Sequence, residues 1–231
     1  MPVKVTELVG IGTVRLYKRR DARAIKITLL HDNQVRVTLP MWVPYRAGLE
    51  FVRTRQEWIK SNRRPQVFLQ DGSLIGKGHR LRYQTSPIAT TVSTRVLAAE
   101  VRVVMPSTHT LRDAQVQTAA KRASLRALKQ QAQKLLPMRL DELAQKHGLP
   151  YASLQIKQLK SRWGSCSPQK HIALNLFLMQ LPWELIDYVI LHELTHTQVL
   201  HHGKDFWSKL EQYLPETKQV RKRLQTYQPA L

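Results

Sequence analysis

The sequence predicts an α+β protein, and three observations predict it. Short stretches of period-two alternation run through the first hundred residues, as where Ile25, Ile27 and Leu29 alternate with Lys26 and Thr28. Residues 111–147 turn helical in composition, rich in Ala, Gln, Lys and Leu and free of Gly. Residues 189–207 then carry an apolar helical run into which histidines and a glutamate are set at helical spacing. The division reads as a β-rich region with one helix over 1–110 and a second region over 111–231. In the second region a buried helix packs on a small mixed or antiparallel sheet. The two regions form separate domains or one integrated domain.

The elements follow in order. Residues 14–40 hold a β-hairpin, with Val35, Val37 and Leu39 answering the first strand across a turn at His31-Asp32-Asn33, and Pro40 ends it. Over 46–62 the period becomes helical through Leu49, Val52 and Ile59, with Trp58 expected in the core and Arg63, Arg64 and Pro65 closing the helix. Short strands return over 73–105. Leu81 and Tyr83 alternate with arginines, as do Val101, Val103 and Met105 with Arg102 and Val104. The glycines there have turn spacing, not that of a phosphate loop. Within 111–147, Pro137 should kink or split the helix, and Gly148 and Pro150 stop it. Strands follow at 155–159 and 171–176, with the small, polar segment Ser161-Arg162-Trp163-Gly164-Ser165-Cys166-Ser167 between them. Pro182 and Glu184 suit a helix start, and one or two terminal helices break at Pro215. No internal repeat is legible.

Composition narrows the function classes. A chain of 231 residues is long enough for a proper core, and 37 Lys plus Arg against 16 Asp plus Glu give a net charge of +21. The excess is spread along the chain, with 18 basic against 7 acidic residues in 1–100 and 19 against 9 in 101–231. Such a field favours polyanions, nucleic acid among them, although no basic recognition motif stands out. The single cysteine, Cys166, excludes an intrachain disulfide and fits a reducing compartment. The N-terminus lacks a signal-peptide core, and no apolar run approaches the roughly 20 residues of a membrane helix, so a soluble, cytoplasmic protein is expected.

The chemistry concentrates at His192, Glu193 and His196, which spell H-E-x-x-H. Residues four apart on a helix share a face, so the two imidazoles can bind one metal ion with Glu193 beside it. Leu185, Val189, His192 and His196 fall along one face, so the pair points where buried residues point. Catalytic zinc takes three protein ligands and leaves a position for water. Continued helix would carry His202 about 9 Å beyond His196, out of reach, so the chain must leave the helix between them if a late histidine is a ligand. Spacing does not choose between His201 and His202, and Glu211 and Glu216 stay open.

Three blocks together resemble the YgjP-like zinc metallopeptidases, relatives of the SprT-like proteases among the zincins. The first is Lys160-Ser161-Arg162-Trp163-Gly164-Ser165-Cys166-Ser167. The second is Asp187-Tyr188-Val189-Ile190 leading into His192-Glu193-Leu194-Thr195-His196. The third is His202 followed by Phe206-Trp207. The resemblance covers roughly 110–230 well and 24–60 more loosely. It implies a zincin-like metallopeptidase core with zinc on His192, His196 and His202, Glu193 as the base, and His201 as a neighbour. It also implies that the W-G-S-C segment lies close to the active-site helix. The spacing equals that of metzincins as well, but Val199 stands where those enzymes turn on glycine.

The expected activity is hydrolysis of peptide bonds by a zinc-activated water, with Glu193 taking the water's proton and passing it to the leaving amine. An extended peptide or protein substrate could add to a strand edge, with 171–176 as the candidate. The alternatives are a nucleic-acid-binding protein with a mainly structural metal site, and a metal-dependent hydrolase of small amides or esters. The SprT-like relatives suggest action on DNA-bound proteins, with which the charge is compatible. Cys166 and Trp163 are expected to be packing residues.

Overall fold

The computed structural model describes residues 3–30, 34–63 and 68–231, which form two compact units divided between residues 67 and 68. The second of the three sheets, within the region read as N-terminal, belongs to the unit that carries the long helices. The expected turn at residues 31–33 lies outside the described residues, as do Arg64 and Pro65.

The first unit is a four-stranded sheet with two short helices. β1 (Val3–Leu8), β2 (Gly12–Arg19), β3 (Lys26–Leu29) and β4 (Val35–Pro40) lie in the order β1-β2-β4-β3. The β1–β2 and β3–β4 pairs are antiparallel, the latter being the expected hairpin, and β2–β4 is parallel. Period-two alternation puts Val14, Leu16, Val35, Val37 and Leu39 on one fully buried face. Helices α1 (Tyr45–Thr54) and α2 (Gln56–Ser61) add Val52 and Ile59 to that core. A Cβ on Gly48 would lie 2.9 Å from methyls of both Leu16 and Leu39, so α1 approaches the sheet at the distance only glycine allows.

Two expectations fail here. The single helix over 46–62 is two helices meeting at Arg55. Trp58 is 45% exposed, since a six-residue helix offers one inward position and Ile59, a step of about 100° further round, occupies it.

The second unit opens with another four-stranded sheet, of β5 (Leu74–Ile75), β6 (His79–Ser86), β7 (Ser93–Val96) and β8 (Glu100–Pro106) in the order β5-β6-β8-β7. Its pairings are antiparallel, parallel and antiparallel, the same path as in the first sheet. The fourth strands also correspond in sequence: Val35-Arg36-Val37-Thr38-Leu39-Pro40 in one, Val101-Arg102-Val103-Val104-Met105-Pro106 in the other. The chain therefore contains a repeated ββββ-helix unit, of which this short match is the trace in the sequence. Matching positions need only the alternation of buried and open residues, which many side chains satisfy.

The helix after the second sheet, α3 (Ala114–His147), buries Val116, Ala120, Ala123, Ala127, Leu128, Leu136 and Leu140. It runs through Pro137 without splitting. The lost hydrogen bond falls on the carbonyl of Gln133, an exposed residue, while the buried face on either side holds the helix. Gly148 caps it at φ 63°. Two buried amides on α3 satisfy the loops it covers. Gln117 Nε2 donates to Leu69 O at 3.1 Å and its Oε1 accepts from Leu69 N at 2.9 Å, while Gln131 Nε2 donates to Ile75 O at 2.9 Å.

The third sheet positions the site. β9 (Ser153–Lys157), β10 (Gly164–Cys166) and β11 (His171–Asn175) lie in the order β10-β11-β9, with β10–β11 antiparallel and β11–β9 parallel. The small mixed sheet is as expected, but β11 is its central strand. Both its edges are paired, so 171–176 cannot accept a substrate strand, and β10 is an edge instead. The fully buried Asn175 fixes the approach to β10, donating from Nδ2 to Leu159 O and Arg162 O, each at 2.8 Å. A 3-10 turn over Leu176–Gln180 leads into α4 (Trp183–Thr195), then α5 (Lys204–Tyr213) and α6 (Thr217–Leu224), with the break at Pro215 as expected. Arg139 of α3 clamps α4 through Asp187, with Nε donating to Oδ1 at 2.6 Å. No helix among the described residues is long and apolar enough to cross a membrane.

Candidate metal centre

Helix α4 is apolar on nearly every side. Leu185, Ile186, Val189, Ile190, Leu191 and Leu194 are all buried, so the polar residues in its last turn stand in a low-dielectric setting. The helix ends at Thr195, and His196 is its cap residue. Its ring Nδ1 lies 3.0 Å from Val199 O, an acceptor only, so Nδ1 carries the proton and Nε2 presents its lone pair. The chain then turns back and brings His202 to the helix. His202 Nε2 lies 3.0 Å from His192 Nε2 and 3.0 Å from His196 Nε2. The required departure from the helix after His196 is therefore present. Among the described residues these three histidines form the one such cluster, with ligand atoms within 4.8 Å of one another. The exposed His201 does not join the cluster, nor do Glu211 and Glu216.

An aromatic pair braces the turn. Phe206 is fully buried, its ring centroid 4.5 Å from that of His196, 4.9 Å from His192 and 4.8 Å from His202. Trp207 stacks on His202 at 5.8 Å and donates from Nε1 to His202 O at 3.1 Å. His202 is thus held at its ring and at its backbone.

The donor set suits a divalent cation. Burial, then the neighbouring His196, His202 and Arg221, lowers His192 to about 3, and burial lowers His196. Both are therefore neutral near pH 7, the form that ligates metal. Three nitrogens this close suit ligands sharing one tetrahedral ion, for which about 3.4 Å is ideal at about 2.1 Å per bond. His192 Nδ1 is buried without a hydrogen-bond partner among the described residues.

Glu193 is 5% exposed and lies against β10. A Cβ built on Gly164 would sit 2.6 Å from its Oε1 and 2.8 Å from its Cγ. The W-G-S-C segment is thus in contact with the helix. Burial pushes the Glu193 carboxyl up to about 8, with Arg162 opposing. Burial and then Glu193 push the Cys166 thiol up to about 11, which suits a packing residue rather than a nucleophile. Trp163 is half-buried and packs against the core while also lining a cavity of about 340 Å³ beside His192 and Glu193.

That cavity exposes what sequence reasoning missed. Arg221, one of four basic residues between Lys218 and Arg223, lies at its wall with Arg162, Tyr188 and Tyr227. The guanidinium of Arg221 sits 4.4 Å from the Trp207 ring centroid. The only local signal was an arginine one turn before an apolar Leu224 on an amphipathic helix, too common a pattern to single out.

An α+β core that gathers three histidines and a buried carboxylate around one helix end has the form of a metal-dependent hydrolase. Comparison with protein families makes this specific: the profile described as YgjP-like, metallopeptidase domain, matches residues 23–227, and the chain belongs to that family. The crystal structure of the metallopeptidase zymogen of Pyrococcus abyssi abylysin is similar at 24% identity and TM-score 0.37, over 40% of this chain and 93% of that one. The metallopeptidase zymogen of Methanocaldococcus jannaschii jannalysin is similar at 25% identity and TM-score 0.36, over 40% of this chain and 96% of that one. A comparison with curated proteins finds no match.

Proposed function

We propose that the protein is a zinc-dependent peptidase in which His192, His196 and His202 hold the ion and Glu193 is the general base. The observation that carries this reading is the convergence of three imidazole Nε2 atoms beside a buried carboxylate on the same helix. A zinc ion held there supplies Lewis acidity, which makes water more acidic and polarises a carbonyl. The positive charge of a bound zinc ion would offset the burial that raises the Glu193 carboxyl, and as a carboxylate Glu193 would take a proton from water and give it to the departing amine. The β10 edge, touching Glu193 through Gly164, is suited to pair with an extended peptide and align it over the site. The single cysteine suits action in a reducing, cytoplasmic setting.

The test is Glu193→Gln in the zinc-loaded protein. Zinc content should stay at the parent level while hydrolysis of unstructured protein substrates falls at least about a hundredfold. Undiminished cleavage would remove Glu193 as the base. Cleavage of small amides or esters with no cleavage of proteins would move the activity to a small-molecule hydrolase.

A second reading, contact with nucleic acid, draws on the first sheet. Its face opposite α1 and α2 carries Arg15, Tyr17, Lys26 and Arg36, and the Arg36 guanidinium lies 4.6 Å from the Tyr17 ring centroid. Cations and a stacking ring on one sheet face suit single-stranded nucleic acid. Affinity for single-stranded DNA or RNA should then fall steeply with salt, and a flat salt response would sink this reading.

A further inference from the structure

We infer that Arg162 and Arg221 form a carboxylate-binding subsite beside the metal centre, so that the preferred peptides carry a carboxylate within about one residue of the cleaved bond. This rests on the peptidase reading above. The cavity of about 340 Å³ is lined by His192 and Glu193 and by both arginines. Arg162 arrives from the segment that Asn175 ties down, and Arg221 from α6. Two guanidinium groups, each a permanent cation, thus share one small cavity with a single carboxyl.

Neither arginine is used up by the fold. Among the described residues no carboxylate forms an ion pair with Arg162 or Arg221, although Arg139, Arg82 and Arg223 each have one. Arg221 is instead placed by a ring: it lies over Trp207, which stacks on His202. The anion-binding group and the proposed ligand histidine therefore share one support, which fixes the distance between a bound carboxylate and the reacting centre. Arg162 already acts electrostatically on Glu193.

Most of the rest of the lining is apolar or aromatic, from Val189, Leu224, Trp163 and Tyr227, with Gln225 as a neutral polar neighbour. It would cover the stem of one residue and leave its charged end to the arginines. A cavity of this size lies at the small end of ligand pockets and suits one side chain rather than a folded segment. An arginine binds a carboxylate through a planar fork of donors, so an amide of the same shape is the discriminating control. Two sources supply the carboxylate, the C-terminus of a peptide or an internal Asp or Glu side chain, and the chemistry at the arginines is the same.

The experiment uses the full-length, zinc-loaded protein and paired synthetic peptides. One pair differs as C-terminal acid and C-terminal amide, and another, blocked at both ends, differs as internal Glu and Gln. The acid member of at least one pair should have kcat/KM higher by roughly ten- to a hundredfold, and the responding pair identifies the source. The preference should shrink as salt rises, and in Arg221→Gln and Arg162→Gln it should fall toward one. Both arginines are exposed, and circular dichroism checks that each variant is folded. Equal kcat/KM in both pairs overturns the subsite and leaves the peptidase standing. If no peptide is cleaved, the peptidase reading fails, and calorimetric titration of the same peptides decides the subsite. Tighter binding of an acid member, lost in Arg221→Gln, supports it, and equal or absent binding overturns it.

Discussion

Gly164 and Glu193 touch so closely that a Cβ on the glycine would lie 2.6 Å from the Glu193 carboxylate. The strand β10 and the helix α4 therefore meet at a point where one partner must lack a side chain. The glutamate is 5% exposed, and its Oε1, Cγ and Cδ, at 2.6, 2.8 and 2.9 Å from such a Cβ, would all have to give way. Gly164→Ala should cost about 1–3 kcal/mol by overpacking. It should also lower hydrolysis at least tenfold while zinc content stays near that of the parent. Shortening the partner relieves the clash, so Gly164→Ala/Glu193→Asp should be more stable than the sum of the single changes allows. Additive urea midpoints would show that the two residues do not press on one another.

The turn after α4 sets two adjacent histidines different tasks. His202 converges with His192 and His196, and exposed His201 does not. His201→Ala should keep about one zinc per chain. His202→Ala should weaken zinc binding by a hundredfold or more, since the proposed three-histidine set would lose a ligand. Removing zinc from the parent with a chelator should lower its Tm, by an amount that grows with the ratio of free zinc to Kd. Equal zinc affinity of the two alanine variants, measured by competition with a chromogenic chelator, would return the choice of third ligand to open.

Much of this site was legible because its logic is local. The pair His192 and His196 needs only helical spacing, and the departure from the helix before His202 follows from helical rise. The choice of His202 over His201 did not come from spacing and needed the family's pattern. What stayed hidden is non-local. Gly164 reads as a loop glycine until β10 is seen to pair with β11 and press on α4. Arg221 carries no distinctive signal in the sequence, and only the placement of α6 against the same cavity as His192 brings it to the site. Trp58 lies outside the core because size alone does not set burial and the short α2 gives its inward position to Ile59. The repeated sheet is hard to read from the sequence because strand order leaves no mark there and the match between residues 35–40 and 101–106 is only one strand long.

The active-site helix is tied to α3 by Arg139, whose guanidinium contacts both oxygens of Asp187 and also Glu142. The side chains are 29% and 20% exposed, so the pair lies between a surface bridge and a buried one. Asp187→Asn should therefore cost about 1–2 kcal/mol, less than the loss of a fully buried partner. The helix end carries the histidines, so zinc affinity should fall with it. Arg139→Gln/Asp187→Asn should cost less than the two single changes combined, read from urea midpoints at constant m. Strict additivity would mean that the clamp does not couple these helices.

The last turn of α3 offers a pH handle remote from the metal. His147 stands at a helix C-terminus, where the dipole favours the charged form, yet its pKa is lowered, first by burial and then by Lys146. The ring meets Tyr213 of α5 at 5.1 Å between centroids, which keeps water from it. The folded protein thus binds the proton less readily than the unfolded chain, whose histidine titrates near 6.5. The contribution of this group to stability is present in full above about pH 6.5 and declines as pH falls through the lowered folded value. An NMR titration should place the His147 midpoint below 6.5. Tyr213→Ala should move it upward by reopening the ring to solvent, and should flatten the loss of stability between pH 6.5 and the parent's midpoint. A parent midpoint at or above 6.5 would mean that the dipole outweighs burial at this helix end.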